Sequence, residues 1–395
     1  MNNKPVDVLI IGGGVNGSSI AYHLARQGKA VTVVEKAEPA TEPAASWASA
    51  GGVRRQGRHP AEAALASEAI ERWRNLEEEL EADLRYRREG NLRVAETDEE
   101  AERIAKFVEE QHANGFADVR LVDGAEAREL VPCLNDRVVA GSYSPEDGHA
   151  DPAATTRAFA AAAQRHGATY LNGTETSELI LDGDRVLGAR TSAGEIQAGH
   201  TVVAAGAWSD RLMEGIGLRF PVRTAALQML LSEPTTPGLV RPVMGGLSYQ
   251  LSLKQLPNGE FLLGGGWPGV PAPDRSGYEM LDESVKGNWE HGCRLIPLLS
   301  DLKIDRRWCG LEAFSIDEIP FIGPVDGLDG LTIAFGFTGH GFAISPAVGR
   351  TVADQILGKP APELDGLSPS RVSGFSSEEI ERFIKTDPRV GLTAG

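Results

Sequence analysis

Apolar positions along this chain fall into short runs that glycine separates, rather than into long stripes. Residues 7–11 form an apolar run that ends in Gly12-Gly13-Gly14; residues 18–27 carry helical spacing, and residues 31–35 are a second β-branched run. Strand, glycine turn, helix and strand in that order predict a βαβ unit. Residues 61–84, rich in Ala, Glu and Leu, predict one long helix. Residues 89–95 predict a strand, and 98–114 a helix whose charges form a solvated face. Asp151 stands where a helix N-cap belongs, Pro152 takes the first helical position, and the helix runs through His166 to a glycine stop at Gly167. Short strands broken by Gly183 and Gly194 follow, then the apolar residues 201–204 and the turn Ala205-Gly206-Ala207-Trp208. From 222 to 263, alternating residues between Pro and Gly turns predict an antiparallel sheet. Residues 331–335 return to a buried strand, 336–341 to a glycine turn and 346–357 to a helix, and a Pro-, Ser- and charge-rich tail beyond Pro360 reads as loosely ordered.

Dinucleotide-type turns recur near residues 12, 206 and 340, so the nucleotide domain is expected to be discontinuous, over 1–85, 145–221 and 321–360. The antiparallel sheet is inserted between its parts as a substrate domain of 86–144 and 222–320, and 361–395 is a C-terminal tail. The formal net charge of −17 argues against nucleic acid as a partner, because a polyanion would be repelled. Arg54, Arg55 and Arg58 are the exception, a local group able to line a basic groove. The three cysteines, Cys133, Cys293 and Cys309, show no metal-ligand spacing, so no metal site is expected. The apolar stretch at 8–11 is too short for a signal or membrane segment, no transmembrane segment follows, and a cytoplasmic location is the expectation.

Gly12-Gly13-Gly14-Val15-Asn16-Gly17 carries the strongest chemical signal. Gly12 allows the tight turn, Gly14 lets backbone approach a pyrophosphate, and Gly17 lets helix and strand pack closely, while the helix start turns free N–H groups toward the phosphates. Glu35, followed by Lys36, closes the second strand where an acid receives ribose hydroxyls. An acid at that place favours FAD or NAD over NADP.

Further motifs follow in order: Ala21-Tyr22-His23-Leu24, Ser46-Trp47-Ala48-Ser49-Ala50-Gly51-Gly52, residues 147–152, 202–209, 308–311 with 320–324, and Gly339-His340-Gly341-Phe342 with Pro346. Over residues 5–360 the ordered set resembles the D-amino-acid oxidase superfamily of flavoproteins, in its glycine oxidase and sarcosine oxidase branch. The resemblance implies an α/β fold: a Rossmann-like FAD-binding domain of the glutathione reductase type, with an inserted substrate domain built on an antiparallel β-sheet with helices. It implies FAD as the cofactor. Ser46, Ser49, Ala50, Gly51, Gly52 and Val53 would border the isoalloxazine ring, Thr176 would meet the adenine, and Ala205, Gly206 and Trp208 would pass under the cofactor. Gly310 would lie beside the ring, and Gly339, His340, Gly341 and Phe342 would approach its pyrimidine end. Ala48 stands where some relatives attach flavin through His, and Gly310, beside Cys309, where others attach it through Cys, so non-covalent FAD is expected.

The resemblance also implies oxidation of the C–N bond of an amino acid, N-methyl amino acid or cyclic imino acid. Hydride would pass to flavin N5, giving an imine that water hydrolyses, with O2 or another acceptor taking the electrons. Three charges of the family are absent: Glu312 stands for the carboxylate-clamping arginine, Ala343 for a second clamping lysine and Leu262 for the lysine associated with oxygen activation. Arg54 or Arg55 could meet a carboxylate, Glu312 could meet a cationic amine, Tyr249 is a pocket candidate, and His340 reads as a hydrogen-bonding residue more readily than as an acid or base. Oxidation of a non-carboxylated amine, an FAD-binding subunit of a multi-subunit amine dehydrogenase, and a pyridine-nucleotide dehydrogenase remain alternatives, with a homo- or hetero-oligomer possible.

Overall fold

A computed structural model describes residues 5–387 of the chain. Its eight-stranded sheet has a parallel centre in the order Leu331–Phe335, Gly194–Val203, Val6–Ile11, Val31–Val34 and Thr169–Leu171, with Phe321–Pro324 added antiparallel at one edge. The central strands are apolar on both faces because both are covered. One face packs Val8, Ile10 and Val33 against helices Val15–Arg26, Pro152–Arg165 and Gly341–Ile356; the other packs Leu9, Ile11, Val203 and Phe335 with Phe220 and the hairpin strands Thr176–Asp182 and Arg185–Thr191. Trp73 ties helix Ala63–Trp73 into this core. Its ring is fully buried against Phe342 and Tyr86, a burial worth about 2 kcal/mol, and its Nε1 donates to Ala343 O at 2.8 Å. The start of helix Gly341–Ile356 is thereby held still beneath the site described below.

The second sheet has ten strands. Its long members Val222–Ser232 and Ile304–Ser315 run antiparallel, pairing Leu227 with Gly310 and Ala225 with Glu312. Farther out, Asn91–Ala95 lies parallel to Val243–Gly246 and antiparallel to Ala140–Ser144, with helices Asp98–Ala113 and Asp282–Leu295 packed alongside. A bridge between Ala44 and Leu311 joins this sheet to the segment that follows the first βαβ unit, so the sheets meet where the glycine-rich motifs lie.

Asp151 caps helix Pro152–Arg165 by accepting from Ala154 N at 2.9 Å, as its spacing predicts. Three expectations are corrected. Residues 61–84 are not one helix: a 3-10 turn at Pro60–Glu62 leads into Ala63–Trp73, and Asn75 (φ −119°) leaves helical geometry before Leu76–Leu80, which ends at the left-handed Glu81. The helix expected at 346–357 begins at Gly341 rather than at Pro346. Pro346 is tolerated because the carbonyl it cannot serve, Phe342 O, accepts Ser345 Oγ at 2.9 Å. Nor is the segment beyond Pro360 loose over its described part. Pro362–Leu367 buries Leu364 and Leu367, Ser376 and Glu379 form a capping box on Ser377–Ile384, and Arg371 pairs with Asp317 at 2.8 Å while its guanidinium sits 3.9 Å from the Phe321 ring centroid. Residues 388–395 of the tail lie outside the described residues.

Candidate active site

The glycine turn opens a cavity of about 1220 Å³ between the two sheets. Gly12 (φ +107°) turns the chain in a conformation that side chains avoid, and any Cβ on Gly17 would collide with Gly12 O, so the helix can start close against the strand. Helix Val15–Arg26 has no side-chain cap from its own N-cap residue, Gly14; instead Ser46 Oγ accepts from Val15 N at 3.0 Å. Glu35 accepts from Gly13 N at 2.7 Å and from Ala37 N at 3.0 Å, which locks the turn to the end of the second strand.

One end of the cavity is lined by Glu35, Lys36, Thr176, Ala205, Gly206 and Trp208, with Lys36 Nζ 4.4 Å from the Trp208 ring centroid. Its wall also includes Gly12, Gly14, Val15 and Asn16 from the glycine turn, with Ser46, Ser49, Ala50, Gly52, Gly310, Gly339, His340, Gly341 and Phe342. Gly17, Gly51 and Val53 are not on its wall. Gly17 makes the helix–turn contact, Gly51 O accepts Ala150 N, and Val53 is fully buried in the first core. Asn16 Oδ1, Thr176 Oγ1 and Trp208 Nε1 are buried without a hydrogen-bond partner along this wall. Orphaned polar atoms on a cavity wall call for a polar ligand, and an elongated dinucleotide whose phosphates meet the open helix start fits this set of donors and acceptors.

The four candidate catalytic residues line the same cavity. Glu312, on the strand that passes the Ala45–Ala48 turn, accepts from Gly339 N at 2.9 Å; burial pushes its carboxyl up to about 7, against the pull of that N–H. His340 is buried at the head of helix Gly341–Ile356. Its Nδ1 lies 3.2 Å from Glu62 Oε2, while burial and Arg58 draw its pKa down to about 4. Near neutral pH the imidazole is therefore uncharged; with Nδ1–H donating to Glu62, the unpartnered Nε2 is an acceptor. Tyr249 lends its ring to the wall, but its hydroxyl donates to Glu96 at 3.1 Å, which with burial keeps the phenol protonated. Arg54 directly follows the short strand Gly52–Val53, near Asp147 and Glu62.

Other candidates are placed elsewhere. Arg55 is not in the cavity: it pairs with Asp118 and lies over the Phe116 ring. Cys309 is fully buried among Ala207, Ala226 and Leu311, with Sγ 3.2 Å from Met280 Sδ, and burial raises its thiol to about 12. No cysteine lines the cavity. Leu262 packs with Met229 and Leu231, against Ala50 and Trp308. Its cross-strand neighbour is Lys254, whose buried Nζ lies 3.3 Å from His149 Nδ1 and whose pKa burial lowers to about 7. A buried lysine therefore stands beside Leu262, contributed by the next strand. Sequence reading also missed Arg93, Arg103 and Glu62. Arg93 carries the one available signal, a charge inside the apolar strand Asn91–Ala95.

Against known proteins, the family described as FAD dependent oxidoreductase matches residues 7–355. The chain is similar to a glycine oxidase of Pseudomonas aeruginosa, at 30% identity over 90% of this chain and 97% of that protein. It is 28% identical to the mitochondrial dimethylglycine dehydrogenase of Rattus norvegicus over 94% of its own length, but it spans only 45% of that protein. Among solved structures, the L-proline dehydrogenase from P. horikoshii superposes with a TM-score of 0.86 at 30% identity, covering 94% of this chain and 98% of that one. Among the described residues, no helix is long and apolar enough to cross a membrane.

Proposed function

The chain belongs to the FAD-dependent oxidoreductases of the D-amino-acid oxidase family, and from that premise we propose that it oxidises the C–N bond of a carboxylated amine: an amino acid, an N-methyl amino acid or a cyclic imino acid. The observation that carries the reading is the pairing, within one cavity, of a dinucleotide cradle with a guanidinium (Arg54) and a carboxyl (Glu312) beyond the ring loop. That pair complements a zwitterion.

FAD bound there supplies the hydride acceptor, so that the amine becomes an imine that water hydrolyses. The chain holds the cofactor through the Gly12–Gly14 turn, the open helix start and Glu35. Arg54 fixes the substrate carboxylate and so the face presented to the ring. Glu312, poised near neutrality, takes the proton that a substrate ammonium must shed before its nitrogen lone pair can assist oxidation. Neutral His340 is held in one orientation by Glu62 and offers Nε2 as an acceptor. With Ala48 after Trp47, Gly310 in the wall and Cys309 sealed away, the cavity wall offers FAD no thiol, so non-covalent binding is part of the proposal.

The test compares carboxylated amines with their decarboxylated analogues in anaerobic reduction of the yellow protein. Bleaching by N-methyl amino acids or proline, and not by methylamines or pyrrolidine, is the expected result; bleaching by the carboxyl-free set alone would contradict the proposal. A second reading, in which the chain is the flavin-bearing part of a larger dehydrogenase, draws support from its spanning less than half of dimethylglycine dehydrogenase. Turnover with an artificial acceptor but negligible oxygen uptake would favour it.

A further inference from the structure

Six arginines line the active-site cavity; Arg190 pairs with Glu178 and Glu195, Arg211 donates to Pro273 O and Asp274 O, and the other four are Arg54, Arg58, Arg93 and Arg103. These four form a row. Arg58 Nε donates to Arg54 O at 3.0 Å, Arg93 is depressed by burial and by Arg54 and Arg103 on either side, and Arg103 at the mouth lies 3.5 Å from Ser248 Oγ. In a chain with 56 acidic and 39 basic residues, such a cluster of like charge is not the average surface.

Two counter-charges lie at one end, while at the other Glu100 shares Ser248 with Arg103 without forming an ion pair with it. Glu62 and Asp147 act on Arg54 and Arg58, and Asp147 Oδ1 also accepts from Arg55 N at 3.0 Å. At the other end the Arg93 guanidinium stacks 5.5 Å from the Phe107 ring centroid, and among the described residues neither Arg93 nor Arg103 makes an ion pair. Arg58 is 5% exposed, and its Nη1 is buried without a partner. Adjacent guanidiniums repel and lose hydration, so a row of this kind is favourable when an anion sits in it. One carboxylate answers Arg54; it leaves Arg93 and Arg103 unanswered.

Resting on the amino-acid reading above, we infer that the substrate carries a second carboxylate, which Arg93 and Arg103 hold at the outer end of the cavity. The amine then lies toward Glu312, the first carboxylate at Arg54, and the second near Phe107 and Ser248. The substrate class is a dicarboxylic amino acid or N-carboxyalkyl amino acid.

The experiment has a binding arm and a turnover arm on the FAD-loaded protein. Glutarate and butyrate are non-oxidisable and differ by one carboxylate; each is titrated while the visible flavin band is followed. Glutarate should bind at least ~10-fold more tightly, and the advantage should collapse in Arg93→Gln and Arg103→Gln proteins that retain the flavin spectrum, since a charge-assisted pair is worth about one to two decades. Equal binding of the two acids, or a ratio unmoved by both substitutions, overturns the inference. In turnover, N-(carboxymethyl)alanine should show the lower KM against N-methylalanine. Preference for N-methylalanine defeats the second-carboxylate inference and leaves the amino-acid reading standing. If glutarate binds with Arg93 dependence while no carboxylated amine reduces the flavin, the subsite stands and the amino-acid reading falls.

Discussion

Replacing Gly310 by alanine puts a single methyl between two segments of the cavity wall. Gly310 faces the helical turn Ala45–Ala48, and a Cβ built on it would collide with Ala48 Cβ while standing 3.6 Å from Ala45 Cα. Against the ~3.5–4.0 Å at which carbons rest, the overlap with Ala48 is on the order of 1 Å. The strand has little room to yield, because Gly310 is paired with Leu227 across the longest ladder of the second sheet. The turn must move instead. That turn carries Ser46, which caps Val15 N, and Ala48 O, which accepts Trp308 Nε1 at 3.0 Å. Overpacking of this kind costs about 1–3 kcal/mol, and since the displaced turn lines the cavity proposed to hold FAD, FAD binding should weaken roughly 5- to 150-fold. Fluorescence titration of apoprotein with FAD reads the change. The double variant Ala48→Gly with Gly310→Ala removes the colliding methyl and should recover most of the loss, a coupling of about 1–3 kcal/mol. Unchanged affinity in the single variant, or no recovery in the double, would refute the packing argument.

Glu35→Gln keeps one acceptor for Gly13 N or Ala37 N and sets an amide N–H₂ against the other. Losing a charge-assisted bond worth about 1.5–3 kcal/mol should weaken FAD binding about tenfold or more, and an unaltered Kd would show that the acid does not organise the turn. Lys254 gives a pH signature. Its folded pKa of about 7 lies below its ordinary value of 10.5, so between those pH values the unfolded chain binds the extra proton and stability rises with pH. The penalty is fully present below pH 7, and Lys254→Met should therefore stabilise the protein by on the order of a few kcal/mol at pH 6, with the gap closing toward pH 10.5 in urea titrations. A gap that stays constant with pH would show that the buried amine is not the source.

The glycine turn, the Asp151 cap and the strand Leu331–Phe335 could be read from sequence because each rests on neighbours a few residues away. Arg54, Glu312 and His340 came from motif order and do share one cavity. What the sequence hid depends on partners far along the chain. Glu62 and His340 are 278 residues apart, and the pairing of Arg93 with Gly245 brings that guanidinium to a cavity wall built mostly from other strands. Reading strand 261–264 by itself shows Leu262 and no lysine; only the ladder reveals Lys254 opposite it. The break at Asn75 was hidden for a different reason, since residues on both sides of it keep helix-forming composition.

The central claim is FAD-dependent oxidation of a carboxylated amine, and its most direct test is the visible spectrum of the purified protein before and after anaerobic addition of carboxylated amines. The account predicts flavin bands that bleach on addition and a yellow colour that acid precipitation releases into solution. A colourless protein that binds NAD, or a yellow one that no carboxylated amine reduces, would contradict it.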